Sequence, residues 1–235
     1  MTLKRKVGPQ YGAKRARTHR PPRARPYEEY RSCLRLETQY VCVYCLSSEV
    51  EVAPKSVYGG FEIDHFVPQA EQRNLRNYFE NLMWACRACN GAKGNTWPSE
   101  AERQAGFVFL DPYAVDLQDH VRIVGHEVTA VGDSTAGQYT IDEVNLNSAL
   151  HVMRRKTREE AMTRLTTLEQ ALAVLSASAS AAQAPKVANV GTEIAALMAT
   201  LEGAAPWDAP KACLCTTPLR RSKATRRKRT RAPAP

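Results

Sequence analysis

Two Cys-x-x-Cys pairs, Cys42/Cys45 and Cys86/Cys89, constrain this chain more than any other feature. Four thiolates at that spacing can close a tetrahedral zinc site and pin two distant segments together. A unit of about fifty residues buries too little apolar surface to hold a precise site unaided, so a metal staple is expected. Structural zinc contributes roughly 10 to 16 kcal/mol in small domains. The chain has seven cysteines, an odd number, and its charged N-terminus lacks the apolar stretch of a signal peptide. Metal binding in a reducing compartment is therefore expected over a disulfide framework. No run approaches the roughly 18 apolar residues of a membrane span, so the protein is expected to be soluble, cytoplasmic and without a membrane partner.

Between the pairs stand Asp64 and His65, with Asn81 and Asn90 downstream. Phosphodiester hydrolysis needs an activated water, a sink for charge on the pentavalent phosphate, and stabilisation of the leaving oxygen. His65 supplies a base at neutral pH. Asp64 is a natural oxygen ligand for Mg²⁺, and Asn90 adds a second. On an extended strand Asp64 and His65 point to opposite sides, so a bend or loop is needed for both to converge. The Asn81 carbonyl can accept from the second His65 nitrogen and set its tautomer.

Cys-x-x-Cys, Ile-Asp-His-x-x-Pro, Glu-Asn-Leu and Cys-x-x-Cys-Asn-x-x-Lys-Gly occur in that order over residues 42–95. This series resembles the HNH endonuclease superfamily, the ββα-metal finger nucleases. The resemblance implies that Asp64 and Asn90 hold one catalytic Mg²⁺ or Mn²⁺, that His65 is the general base, and that Asn81 orients it. Cys42, Cys45, Cys86 and Cys89 would hold structural Zn²⁺, and Lys93 would contact phosphate or support the helix. DNA would be cleaved to a 5′ phosphate and a 3′ hydroxyl. One departure is that Gly59-Gly60 precede the Asp-His segment, where family members often carry glycines after it. The later loop, Gln72 to Asn77, holds Arg73 and Arg76, which with Arg87 are candidate DNA contacts.

The segments 109–113, 137–141 and 146–154 resemble a C-terminal extension of some bacterial HNH nucleases, among them restriction and phage-defence enzymes. That resemblance adds an ATPase of a defence system as an expected partner. A zinc-stabilised nucleic-acid binding module without hydrolytic activity is the alternative. It would have no need of Asp64 and His65 between the pairs.

The net charge of +9 is unevenly placed: residues 1–35 hold 11 Lys/Arg against 2 Asp/Glu, and residues 217–235 hold 8 against none. Three readings stand: arms that neutralise phosphates, solvated tails that aid solubility, or a nuclear import signal if the source is eukaryotic. The expected fold class is α+β. A zinc-stapled ββα-metal finger is followed by a small β-hairpin and a helical C-terminal region, with disordered basic tails. The expected boundaries are 1–26 for a disordered basic arm, 27–106 for the nuclease domain, 107–205 for the hairpin and helices, and 206–235 for a basic tail. Within them, a helix over 27–38 leads into the first Cys pair. Short strands are expected at 50–53 and 61–66, with a helix starting near Asn90. Alternation around Gly125 predicts a hairpin, and 137–141 reads as a strand. Leu150, Ala161, Leu165, Leu168, Leu172 and Leu175 predict a long helix with Asn147 as N-cap. Its apolar stripe is either intrachain core or, over 147–178, a self-association face. A second helix is expected at 190–202. His120, His126 and His151 read as ordinary surface or packing histidines, Cys33 as a packed thiol, and the Cys-x-Cys pair Cys213 and Cys215 as incidental, with metal binding or oxidation as the alternative.

Overall fold

The computed structural model describes residues 9–23, 25–52, 60–178, 183–201 and 213–216. Helix α1 (Arg31–Glu37), entered through a 3-10 turn at Tyr27–Tyr30, leads to the first cysteine pair, and α2 (Glu49–Val52) follows it. Strands β1 (Phe61–His65) and β2 (Leu82–Cys86) form an antiparallel ribbon in the register Phe61↔Cys86 to His65↔Leu82. Helix α3 (Arg87–Lys93) continues directly from β2 and stops at Gly94, whose φ of 49° favours a residue without a Cβ. After α4 (Glu100–Gln104) come the hairpin β3 (Val121–Val124) and β4 (Glu127–Ala130), then α5 (Thr135–Glu143), α6 (Ala149–Ser178) and α7 (Ala184–Leu201). The class is α+β, with two separate two-stranded sheets among the described residues.

The core centres on β2, where every residue from Leu82 to Cys86 is buried. Trp84 stacks on Phe61 and donates its indole N–H to Glu49, which also takes a bidentate ion pair from buried Arg35 at 2.7 and 2.6 Å. That pair ties α1 to α2 behind the ribbon. Helix α6 is fastened to the finger by its first turns. Arg158 pairs with Glu51 and donates to the Leu46 carbonyl, and Arg155 donates to the Leu146 carbonyl. Further along, Leu168, Leu172 and Leu175 are half-buried where α6 packs on α7, with an Arg164–Glu193 ion pair beside them. The stripe expected over 147–178 thus has an intrachain neighbour.

Four expectations are corrected. Residues 49–52 form a helical turn rather than a strand, because Ser48 and Glu51 make a reciprocal capping box. Residues 137–141 lie in α5, which Ser134 caps through the Gly137 N–H. A Cβ on Gly137 would stand 2.3 Å from the His120 carbonyl oxygen, so close packing there overrides the strand propensity of Tyr139, Thr140 and Ile141. The N-cap of α6 is Ser148, whose hydroxyl accepts from His151 N–H, while Asn147 instead brackets the N–H and carbonyl of Val128.

The fourth concerns the N-terminal arm. Residues 9–23 lie extended across the finger as a strap rather than apart from it. Tyr11 is buried and donates to the Tyr44 carbonyl, and the Arg15 N–H reaches the Pro112 carbonyl at 2.7 Å. Arg17 donates to the carbonyls of Glu80 and Leu82, with its guanidinium 3.6 Å above the Tyr113 ring. Carbonyl acceptors and aromatic faces absorb cationic side chains that composition alone assigns to solvent. The basic segments 1–8 and 217–235 lie outside the described residues. No helix among the described residues is long and apolar enough to cross a membrane.

Candidate active site and metal centre

The four cysteines converge from two directions. Cys42 and Cys45 come from the loop after α1, Cys86 closes β2, and Cys89 lies one turn into α3. All four are buried, and their sulfurs lie within 4.8 Å of one another. Cys45 and Cys86 are 3.7 Å apart, near the roughly 3.8 Å edge of a tetrahedron with Zn–S bonds of about 2.3 Å. Burial pushes the Cys42 and Cys89 thiols up, whereas hydrogen bonds from Cys42 and its neighbours hold Cys45 down. A donor set of four buried thiols suits a closed structural zinc site.

His151 is the residue that sequence spacing could not associate with this centre. It is 2% exposed, reaches Cys89 Sγ with Nε2 at 3.5 Å, and leaves Nδ1 buried without a hydrogen bond. Sixty-two residues separate the two, so no local signal links them.

β1 runs unbroken through both Asp64 and His65, so the expected bend between them is absent. Asp64 and Glu62 share the face of the ribbon covered by α3, while His65 takes the other. Asp64 is 3% exposed; its Oδ2 accepts from Tyr44 at 2.5 Å and its Oδ1 from Lys93 at 3.1 Å. Lys93 has no exposed surface and also donates to the His65 carbonyl at 2.9 Å. It therefore braces the strand to α3 and cannot reach a phosphate at the surface, which corrects the first of its two expected roles. One helical turn earlier, Asn90 donates to Glu62, whose other carboxylate oxygen pairs with exposed Arg87 at 2.8 Å. Glu62, Asp64 and Asn90 place three oxygen-bearing side chains on one face. Glu62 escaped the sequence reading, although its i, i+2 spacing from Asp64 on a strand was the available signal.

His65 has both ring nitrogens engaged. Nε2 lies 2.9 Å from the Arg76 carbonyl and Nδ1 lies 3.2 Å from Gln69 Nε2. A carbonyl only accepts, so Nε2 carries the proton and Nδ1 keeps the lone pair. Burial is the largest influence on the imidazole and lowers its pKa. Tyr27 packs edge-on against it at 4.8 Å, and the Arg76 guanidinium lies over the same tyrosine ring. Asn81 does not touch His65, contrary to expectation. Its side chain instead accepts from the Val67 N–H and donates to the Val67 carbonyl, closing the loop that delivers Gln69 and Arg76. A carboxamide can bracket a backbone amide in this way, and the loop gains two bonds that fix its base.

Arg73, Arg76 and Arg87 are all exposed. Beside the loop, a groove of about 620 Å³ is lined by His19, Arg20, Arg23, Asn74, Asn77 and Tyr78, among others.

Residues 42–96 match the HNH endonuclease family. The Septu protein PtuB of Bacillus thuringiensis is 30% identical over 106 residues, covering 45% of this chain and 36% of PtuB. The aligned length is roughly twice that of the finger, yet the chain spans only about a third of this relative. No solved structure gives a significant match.

Proposed function

We propose that this protein is a metal-dependent endonuclease of the HNH type that hydrolyses DNA phosphodiester bonds in the cytoplasm. The observation that carries the proposal is the His65 arrangement within the matched finger: a neutral imidazole with Nε2 held by a carbonyl and Nδ1 directed at a hydrogen-bond donor. Gln69 occupies the position a water would take, and displacement of that amide by water leaves Nδ1 to accept the proton. Asn81 and the Arg76 carbonyl act as positioning groups, since they fix the loop and the tautomer rather than meeting substrate.

Asp64 and Asn90 are the proposed holders of a divalent ion, with Glu62 as a third oxygen donor. The ion and the His65 ring would lie on opposite faces of β1, so the scissile phosphate must meet both across the end of the strand, where His65 is the last residue. Two lone-pair positions of Asp64 are taken by Tyr44 and Lys93, and a carboxylate has about four. Such hard oxygen donors suit Mg²⁺ or Mn²⁺, which would supply charge stabilisation at phosphate and leaving oxygen. Zinc on Cys42, Cys45, Cys86 and Cys89 is proposed to hold the scaffold. DNA is proposed to follow the groove beside Arg20, Arg23 and Tyr78 toward Arg73 and Arg76, while Arg87 is partly neutralised by Glu62.

The likeness of 109–113, 137–141 and 146–154 to the extension of bacterial restriction and defence nucleases, together with the similarity to PtuB, supports a role in phage defence beside an ATPase partner. Incubation of plasmid DNA with purified protein and Mg²⁺ or Mn²⁺ is expected to give nicked or linear product, and EDTA should abolish it. Tight binding without cleavage under any divalent ion would instead select the zinc-stabilised binding module.

A further inference from the structure

Four residues that contribute nothing to the finger meet on the far side of α1. His19 comes from the N-terminal strap, Cys33 from the middle of α1, and Cys213 and Cys215 from the 3-10 turn at Leu214–Thr216. Their ligand atoms lie within 4.8 Å of one another, the same closeness as in the four-cysteine centre. His19 Nδ1 is 2.9 Å from Cys213 Sγ and 3.7 Å from Cys215 Sγ. Cys33 Sγ is 3.0 Å from Cys213 Sγ and 3.9 Å from Cys215 Sγ. Cys33 is fully buried and Cys213 is 7% exposed.

We propose that His19, Cys33, Cys213 and Cys215 form a second, structural zinc site of the Cys₃His type. Zn–S bonds of about 2.3 Å and a Zn–N bond of about 2.0 Å place tetrahedral neighbours roughly 3.5 to 3.8 Å apart. The observed separations, from 2.9 to 3.9 Å, bracket that range. Three soft sulfurs and one imidazole favour zinc over hard cations, and four protein ligands leave no open position for catalysis. The Cys215 N–H also points at Cys213 Sγ at 3.3 Å, a bond that stabilises a thiolate already facing a metal.

Such a site ties the strap, α1 and the turn at Leu214–Thr216 together, closing the chain between residues 19 and 215.

Elemental analysis of the full chain, purified under reducing conditions, is expected to give two zinc ions per molecule. The double variant Cys213→Ser/Cys215→Ser should retain one, and its Co²⁺-loaded form should lose about three of seven thiolate contributions to the charge-transfer absorbance. A folded wild type with a single zinc overturns the site, whatever the variant does. So does a variant that keeps two, or peptide mapping that finds Cys33 and Cys213 joined as a disulfide.

Discussion

Lys93 shows how a motif residue can be legible in identity while the sequence leaves its role open between two alternatives. The Lys-Gly that ends the finger marks it from sequence, but only the structure shows its ammonium sealed against Asp64 and the His65 carbonyl. A buried cation beside a buried carboxylate leaves an uncompensated charge when one partner is removed, at a cost of about 3 to 5 kcal/mol. Lys93→Met should therefore lower the unfolding free energy by that amount, and Asp64→Asn added to it should recover part of the loss. Equal stability of Lys93→Met and wild type in chemical denaturation would contradict the brace. Asp64, His65 and the four cysteines were visible because their spacing is local. His151 was not, because its partner Cys89 lies 62 residues away; Glu62 meets Asn90 28 residues on, with only its i, i+2 spacing from Asp64 as a local signal, and Gln69 stands four residues from His65 in a loop that has no period.

At the scale of elements, the strap over 9–23 departs most from what composition suggests. Arg17 stands 3.8 Å from Glu37, and burial pushes the Glu37 carboxyl up to about 7 from an ordinary 4.5. The folded state therefore binds the proton more tightly than the unfolded state. Its contribution is complete below about pH 4.5 and is lost as pH rises through 7. Glu37→Gln, which mimics the protonated form, should match wild type near pH 4 and exceed it by roughly 1 to 3 kcal/mol at pH 8. Urea titrations across that range check this, and parallel curves for both proteins would contradict it. The hairpin and long helix were readable from periods of two and 3.6, as was α1. The strap has no period of its own; its order comes from carbonyls and rings supplied by residues 44, 80, 82, 112 and 113.

For the molecule as a whole, the chain wraps a small ribbon and helix with its own distant segments. The strap covers one side, and α6 delivers His151 to Cys89 and Arg158 to Leu46 and Glu51, just after the second cysteine. This packing fixes the loop that holds the His65 ring through Gln69 and the Arg76 carbonyl, and the proposed chemistry depends on that arrangement. Plasmid cleavage by His65→Ala is the most direct test of that chemistry, read beside wild type in Mg²⁺ after zinc content confirms that both are folded. Loss of the general base should slow nicking by about 10² to 10⁴ while DNA binding is kept. Cleavage by His65→Ala at the wild-type rate would contradict the assignment of His65 as the base.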